Sequence, residues 1–179
     1  MPEDFSEKFA VSFNSPQCGW MSIGFKGGAA EFHTTTASAP HATALTEILD
    51  GLSSLIESAA PSDEFVIMWS RNPEAFDFAF RRDADRVKIE IFQYPSFSRA
   101  KHEREKVFVY EGNRLEICQA FYETFAHLRA DIETDVFEQN WRQPFPHQAF
   151  ERFEQTLTRA AHGARTSLSA ERGNLNTQS

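Results

Sequence analysis

Phe65 to Leu128 runs FVIMWS (65–70), RNPE (71–74), AFDFAF (75–80), RRDAD (81–85) and RVKIEIFQY (86–94), then a charged loop, VFVYEG (107–112) and one amphipathic stretch. Phe76, Phe78 and Phe80 alternate with Asp77, Ala79 and Arg81, and Val87, Ile89 and Ile91 alternate with Lys88, Glu90 and Phe92. Successive side chains of a strand point to opposite faces, so each set shares one buried face. Asn72-Pro73-Glu74 and Asp83-Ala84-Asp85 carry turn chemistry. Period-2 alternation with short turns predicts an antiparallel meander, because parallel strands need long crossovers and are apolar on both faces. Asn113 with Glu116 three residues on resembles a capping box, and predicts a helix with Leu115, Cys118, Phe121, Tyr122, Phe125 and Leu128 on its buried stripe.

Working outward, Phe9–Asn14, Trp20–Phe25 and Ala29–Thr36 read as three strands, with Ser15-Pro16-Gln17 separating the first two. Gly27-Gly28 predicts a tight hairpin turn, and a phosphate loop is rejected because a strand, not a helix, follows the glycines. Ser38-Ala39-Pro40 predicts a helix start with Pro in the first turn. Leu45, Ile48, Leu49, Leu52, Leu55 and Ile56 make its stripe, and Ala60-Pro61-Ser62-Asp63 ends it. Strands followed by a helix therefore occur twice. The fold expected is α+β: a single antiparallel sheet of six or seven strands, with helices packed on one face and a C-terminal helix added. That last helix is expected over Pro146–His162, with Gly163 at its C′ position. Residues 1–163 are read as a single α+β domain and residues 164–179 as a disordered polar tail.

Composition narrows the function classes. Eighteen Phe, three Trp and three Tyr imply a core built on aromatic rings. A chain of 179 residues can bury roughly 70% of its unfolded surface without staples. The net charge of −8 disfavours a general nucleic-acid binder, which needs a basic face. MPEDFSEKF lacks the apolar core of a secretion signal, and no apolar run reaches membrane-span length. A cytoplasmic, non-membrane protein is the expectation.

Catalytic motifs are missing from the pattern. The six histidines, His33, His41, His102, His127, His147 and His162, show no HxH, HxxxH or HExxH spacing. There is no GxSxG elbow. Cys18 and Cys118 form no CxxC pair and read as buried free thiols. Of the two, Cys18 is the better nucleophile candidate, although nothing local would lower its pKa. The reading carries no cofactor, no metal and no catalytic residue.

Two surface features remain. SRAKHEREK (98–106), together with Arg81, Arg82 and Arg86, makes either a positive corner or a solvated rim that discourages edge-to-edge pairing. Asp131, Glu133, Asp135 and Glu138 crowd beside Trp141. An aromatic anchor with an acidic rim suits a basic protein partner, and these five residues are the predicted partner-binding site. Acids in the early turn of a helix are the plainer reading of the same run.

The block WSRNPEAFDFAFRRDADRVKIEI, with VFVYEG and the helix after it, resembles small uncharacterised bacterial α+β proteins, some of them immunity-like and found beside toxin systems. The resemblance spans residues 65–130 and carries no active site with it. It implies a bacterial binding protein, toxin-neutralising and immunity-type in its narrower form. The function expected is therefore non-enzymatic protein binding. The alternative is a small-ligand-binding protein or hydrolase with a dispersed site lined by Phe, Trp20 and Trp69.

Overall fold

The structure, a computed structural model, describes residues 8–60, 62–131 and 137–175, with the backbone alone for residues 15, 131 and 165–175. Two meanders share the chain. The first is β1 (Ala10–Gln17), β2 (Trp20–Gly27) and β3 (Ala30–Ala37), followed by α1 (Ala44–Glu57). The second is β4 (Ser62–Ser70), β5 (Ala75–Asp83), β6 (Arg86–Tyr94) and β7 (Glu105–Asn113), followed by α2 (Arg114–Asp131). Then come α3 (Phe137–Trp141) and α4 (His147–Leu175). Every strand pairing is antiparallel.

The α+β class and the antiparallel meander hold, but the single sheet does not. The strands form a three-stranded sheet, β1-β2-β3, and a four-stranded sheet, β4-β5-β6-β7. Turns and alternation specify pairing within each meander. Nothing local specifies a ladder between β3 and β4, which the whole of α1 separates. The two sheets instead turn their apolar faces toward each other. Phe25 meets Phe78 edge-on at 5.3 Å between ring centroids, and Phe32 meets Phe76 at 5.7 Å. Helix α2 lies over both, with Phe121 against Phe80 at 5.7 Å and Phe125 against Phe13 at 5.4 Å. Offset and edge-on ring pairs of this kind add to the stabilisation from burial alone.

Local chemistry explains the turns. Cys18 and Gly19 both take positive φ (53° and 81°), so the β1–β2 hairpin turns there and not at Ser15-Pro16-Gln17. Two positive φ values define the primed turn that suits strand twist. β1 runs on through Pro16 by means of a bulge between Asn14 and Gln17. The hairpin turn expected at Gly27-Gly28 falls one residue later, at Gly28-Ala29, because Gly27 still pairs with Ala30. The turns expected around Asn72-Pro73 and Ala84 are present, and Gly28, Asn72 and Ala84 take positive φ.

The helix boundaries moved. Pro40 lies outside α1, four residues before it begins at Ala44. Asn113 does cap α2, its side-chain oxygen accepting the Leu115 and Glu116 amides at 2.9 and 3.3 Å. On α2, Ile117 and Ala120 are buried beside the expected Cys118, Phe121, Phe125 and Leu128. Gly163 is not a terminus: α4 passes through it and ends at Leu175, so its helical backbone continues through most of the predicted tail. Residues 176–179 of that tail lie outside the described residues.

Candidate interaction surface

Of the predicted acidic site, the structure describes Trp141, Glu138 and the backbone of Asp131. Trp141 is 1% exposed, its indole 6.4 Å from the Trp69 ring. It is a core residue, and it seats α3 on the β1–β2 turn, where the Gly19 amide donates to the Asn140 carbonyl at 2.6 Å. The exposed aromatic anchor is therefore absent. Glu138 is exposed at the start of α3. Asp131 closes α2, and Glu133 and Asp135 lie outside the described residues. Local spacing could not reveal that Trp141 faces inward, because a five-residue helix has no stripe to read.

The thiols divide. Cys118 is buried, and burial pushes its pKa up to about 12, so it is inert. Cys18 is exposed, contrary to expectation, because it occupies the hairpin turn.

The positive corner also divides. Arg82 continues the inward series Phe76, Phe78, Phe80 and is 7% exposed. Its guanidinium donates to the carbonyls of Leu55 (2.9 Å), Ser58 (2.8 Å), Ala60 (2.7 Å) and Ala84 (3.0 Å). It thus satisfies the C-terminal carbonyls of α1 and complements the negative end of that helix. Arg114 reaches the Leu55 carbonyl as well, at 3.2 Å, and burial lowers its pKa. The alternation that reads the three Phe as buried extends to position 82, so this structural role was legible.

Arg99 anchors a second polar cluster. Its guanidinium pairs with Asp77 and donates to the carbonyls of Phe76 (3.1 Å) and Trp69 (3.0 Å). Tyr94 donates to the other Asp77 oxygen at 2.8 Å, and burial, reinforced by that bond, raises the Tyr94 pKa. Nearby, His41 Nε2 and Ser70 Oγ are 2.9 Å apart. Burial, helped by the Arg99 charge, lowers the His41 pKa and favours neutral imidazole. A Ser–His pair invites a hydrolase reading, but Ser70 is 2% exposed at the end of β4. The pair ties the loop before α1 to the sheet.

Of the aromatic residues of the enzyme alternative, Trp69 packs among Phe13, Phe78 and Trp141. Trp69 is fully buried, while Trp20 stands 38% exposed at a corner of the other sheet. A groove of about 880 Å³ does run between β1 and α2, past Val11, Phe13, Glu123 and His127. Thr124 bridges it, accepting the Phe13 amide at 2.8 Å and so covering the edge of β1. Among the described residues no group of three His, Cys, Asp or Glu side chains is placed to hold a metal, and no helix is long and apolar enough to cross a membrane.

The open surface is the outer face of the four-stranded sheet. α1 and α2 pack on its inner side through residues such as Leu52 and Phe121. Outside, the strand register lays three rows across β4–β7. The middle row is Val66, Ala79, Glu90 and Val109. One flank is Glu64, Arg81, Lys88 and Glu111, and the other is Met68, Asp77, Phe92 and Lys106. Val66, Met68 and Val109 are 52%, 49% and 46% exposed. Glu90 is held by Lys106 at 2.5 Å and Lys88 at 3.1 Å, and those bonds, the Lys106 one foremost, lower its pKa. The Arg104 guanidinium lies 4.4 Å over the Phe92 ring. Sequence reading found these residues as the wet side of the meander and stopped there. The missed signal was that β4 is apolar at both parities, with Val66 and Met68 between Phe65, Ile67 and Trp69.

Comparison with protein families, with curated proteins and with solved structures gives no match for this chain.

Proposed function

We propose that this chain is a bacterial, cytoplasmic, non-enzymatic protein-binding module whose contact surface is the outer face of β4–β7. One observation carries the reading: Val66, Met68 and Val109 stand half-exposed on a sheet face that no helix among the described residues covers, while the core behind it is filled by aromatic rings. Exposed apolar groups gathered on one face and rimmed by charge favour a protein contact over a small-ligand pocket. The basic partner inferred from the residues around Trp141 loses support, since that indole is buried. Paired cations and acids on the sheet face suit a partner surface of mixed charge. The immunity-like resemblance supports a narrower form, occlusion of a toxin. A toxin reading frame beside this chain's own would strengthen that form, and a metabolic operon would end it.

The test is a photo-crosslinking residue placed at Val66 or Val109 in cells, with Thr35 on the other sheet as control. An adduct of defined mass is expected at the first two positions and not at the third. No adduct at either position would overturn the reading.

A further inference from the structure

We infer that the outer face of β4–β7 is self-complementary and that its partner is a second copy of this chain, docked face to face about a two-fold axis along the Val66–Val109 row. This deepens the proposed reading by naming the occupant of the same surface. The argument is one of register. A two-fold axis lying along the middle row keeps each strand over its own copy and reverses the strand direction. The middle row then meets itself, so Val66 packs on Val66 and Val109 on Val109 of the partner subunit. The two flanking rows exchange. Arg81 comes over Asp77 of the partner subunit, Lys88 over Phe92 of the partner subunit, and Glu111 over Lys106 of the partner subunit. The first and third bring opposite charges together and extend pairs already made within each subunit, Asp77 with Arg99, Glu111 with Arg86 and Lys106 with Glu90. The second sets Lys88 beside a ring whose face Arg104 already covers at 4.4 Å. Glu64 meets Met68 of the partner subunit at the edge, where solvent reaches both. Glu90 opposes its own copy, but Lys88 and Lys106 already neutralise it within each subunit.

The other in-plane two-fold axis, along the strands, gives the opposite result. It brings Arg81 over Lys88 and Glu64 over Glu111 of the partner subunit, like on like. The charge pattern therefore selects one arrangement and rejects the other. Stacked sheets cross at about 30°, which displaces the outer strands more than the inner ones. The Arg81–Asp77 and Lys88–Phe92 meetings lie on the two inner strands and survive that rotation. Four strands about 4.8 Å apart and nine residues long bury on the order of 1,000 Å² in total, near the lower bound for a specific interface. Association is therefore expected to depend on concentration.

Sedimentation velocity of the purified full chain tests this. The mass should rise from 20.4 kDa toward twice that value as concentration increases. Val66→Lys should remain monomeric at every concentration, and Thr35→Lys on the other sheet should behave as the parent does. Arg81→Glu, which sets an acid over Asp77 of the partner subunit, should weaken association by about tenfold, and Arg81→Lys should not. Far-ultraviolet circular dichroism confirms folding of each variant, and the Arg81 variants keep the test valid if Val66→Lys fails to fold. A parent that stays monomeric overturns the inference, as does an Arg81→Glu variant that associates as the parent does. The in-cell adduct at Val66 separates the two readings. A monomeric chain that still crosslinks to another protein ends the dimer and leaves the binding reading standing.

Discussion

The two sheets bury their inner faces alike and differ on the outside. The outer face of β1–β3 carries Ser12, Ser22, Lys26, Glu31, His33 and Thr35, with Trp20 alone at a corner. Its centre is flush, because a Cβ on Gly24 would meet Ser12 Oγ at 2.8 Å and the His33 ring at 2.9 Å. The outer face of β4–β7 places Val66, Ala79, Phe92, Val109 and Met68 among paired charges. Both faces alternate with the same Phe-rich core, so burial of the inner residues cannot account for the difference. A sheet that needs only solubility ends in Ser and Thr. The half-exposed valines on the wet side of the other are what the proposed contact rests on.

The largest effects should fall on the shared core. Phe25→Ala in one sheet and Phe78→Ala in the other should each cost about 3–5 kcal/mol by urea denaturation, since each ring is closely enclosed. Because the two rings touch, their double variant should cost less than the sum of the singles. Strict additivity would mean that the sheets stabilise themselves independently.

Arg82→Met should come next, at about 2–3 kcal/mol, because three carbonyls at the end of α1 and that of Ala84 in the β5–β6 turn lose a charged donor while the aliphatic stem is kept. A cost comparable to that of an exposed Arg81→Met would refute the capping role.

Far smaller stability changes are expected outside. Val66→Lys and Thr35→Lys should each stay within about 0.5 kcal/mol of the parent. Only the first should alter association, and it is this split that separates the two outer faces.

The smallest effect is a slope with pH. His41 has its pKa lowered in the fold, chiefly by burial and then by Arg99, with Glu47 and Asp77 opposing. Below its ordinary value of 6.5 the unfolded chain takes up the proton more readily than the folded one. Its contribution to stability is thus complete above that pH and is lost as pH falls beneath it. Urea midpoints measured from pH 8 to 5 should decline less in His41→Gln than in the parent.

Much of this was readable from short-range pattern. The alternation at Phe76, Phe78 and Phe80 and the turns at Asn72-Pro73 and Ala84-Asp85 gave the second meander residue by residue. Asn113 marked the start of α2. The same parity placed Arg82 inside, although its charge drew it into a surface patch. The proposed contact surface was half visible: alternation identified which residues face water, but not which wet face would go uncovered.

The sequence alone determined strand identity, hairpin order, the helix stripes and the α+β class, because each depends on residues within a few positions of one another. Tertiary structure decided the rest. It split the strands into two sheets, since no local signal pairs β3 with β4, and rings of the two inner faces meet instead. It drew Trp141 into the core against Trp69, a meeting of residues 72 positions apart. Among the described residues no helix covers the outer face of β4–β7, because α1 and α2 both pack on the side where the rings are.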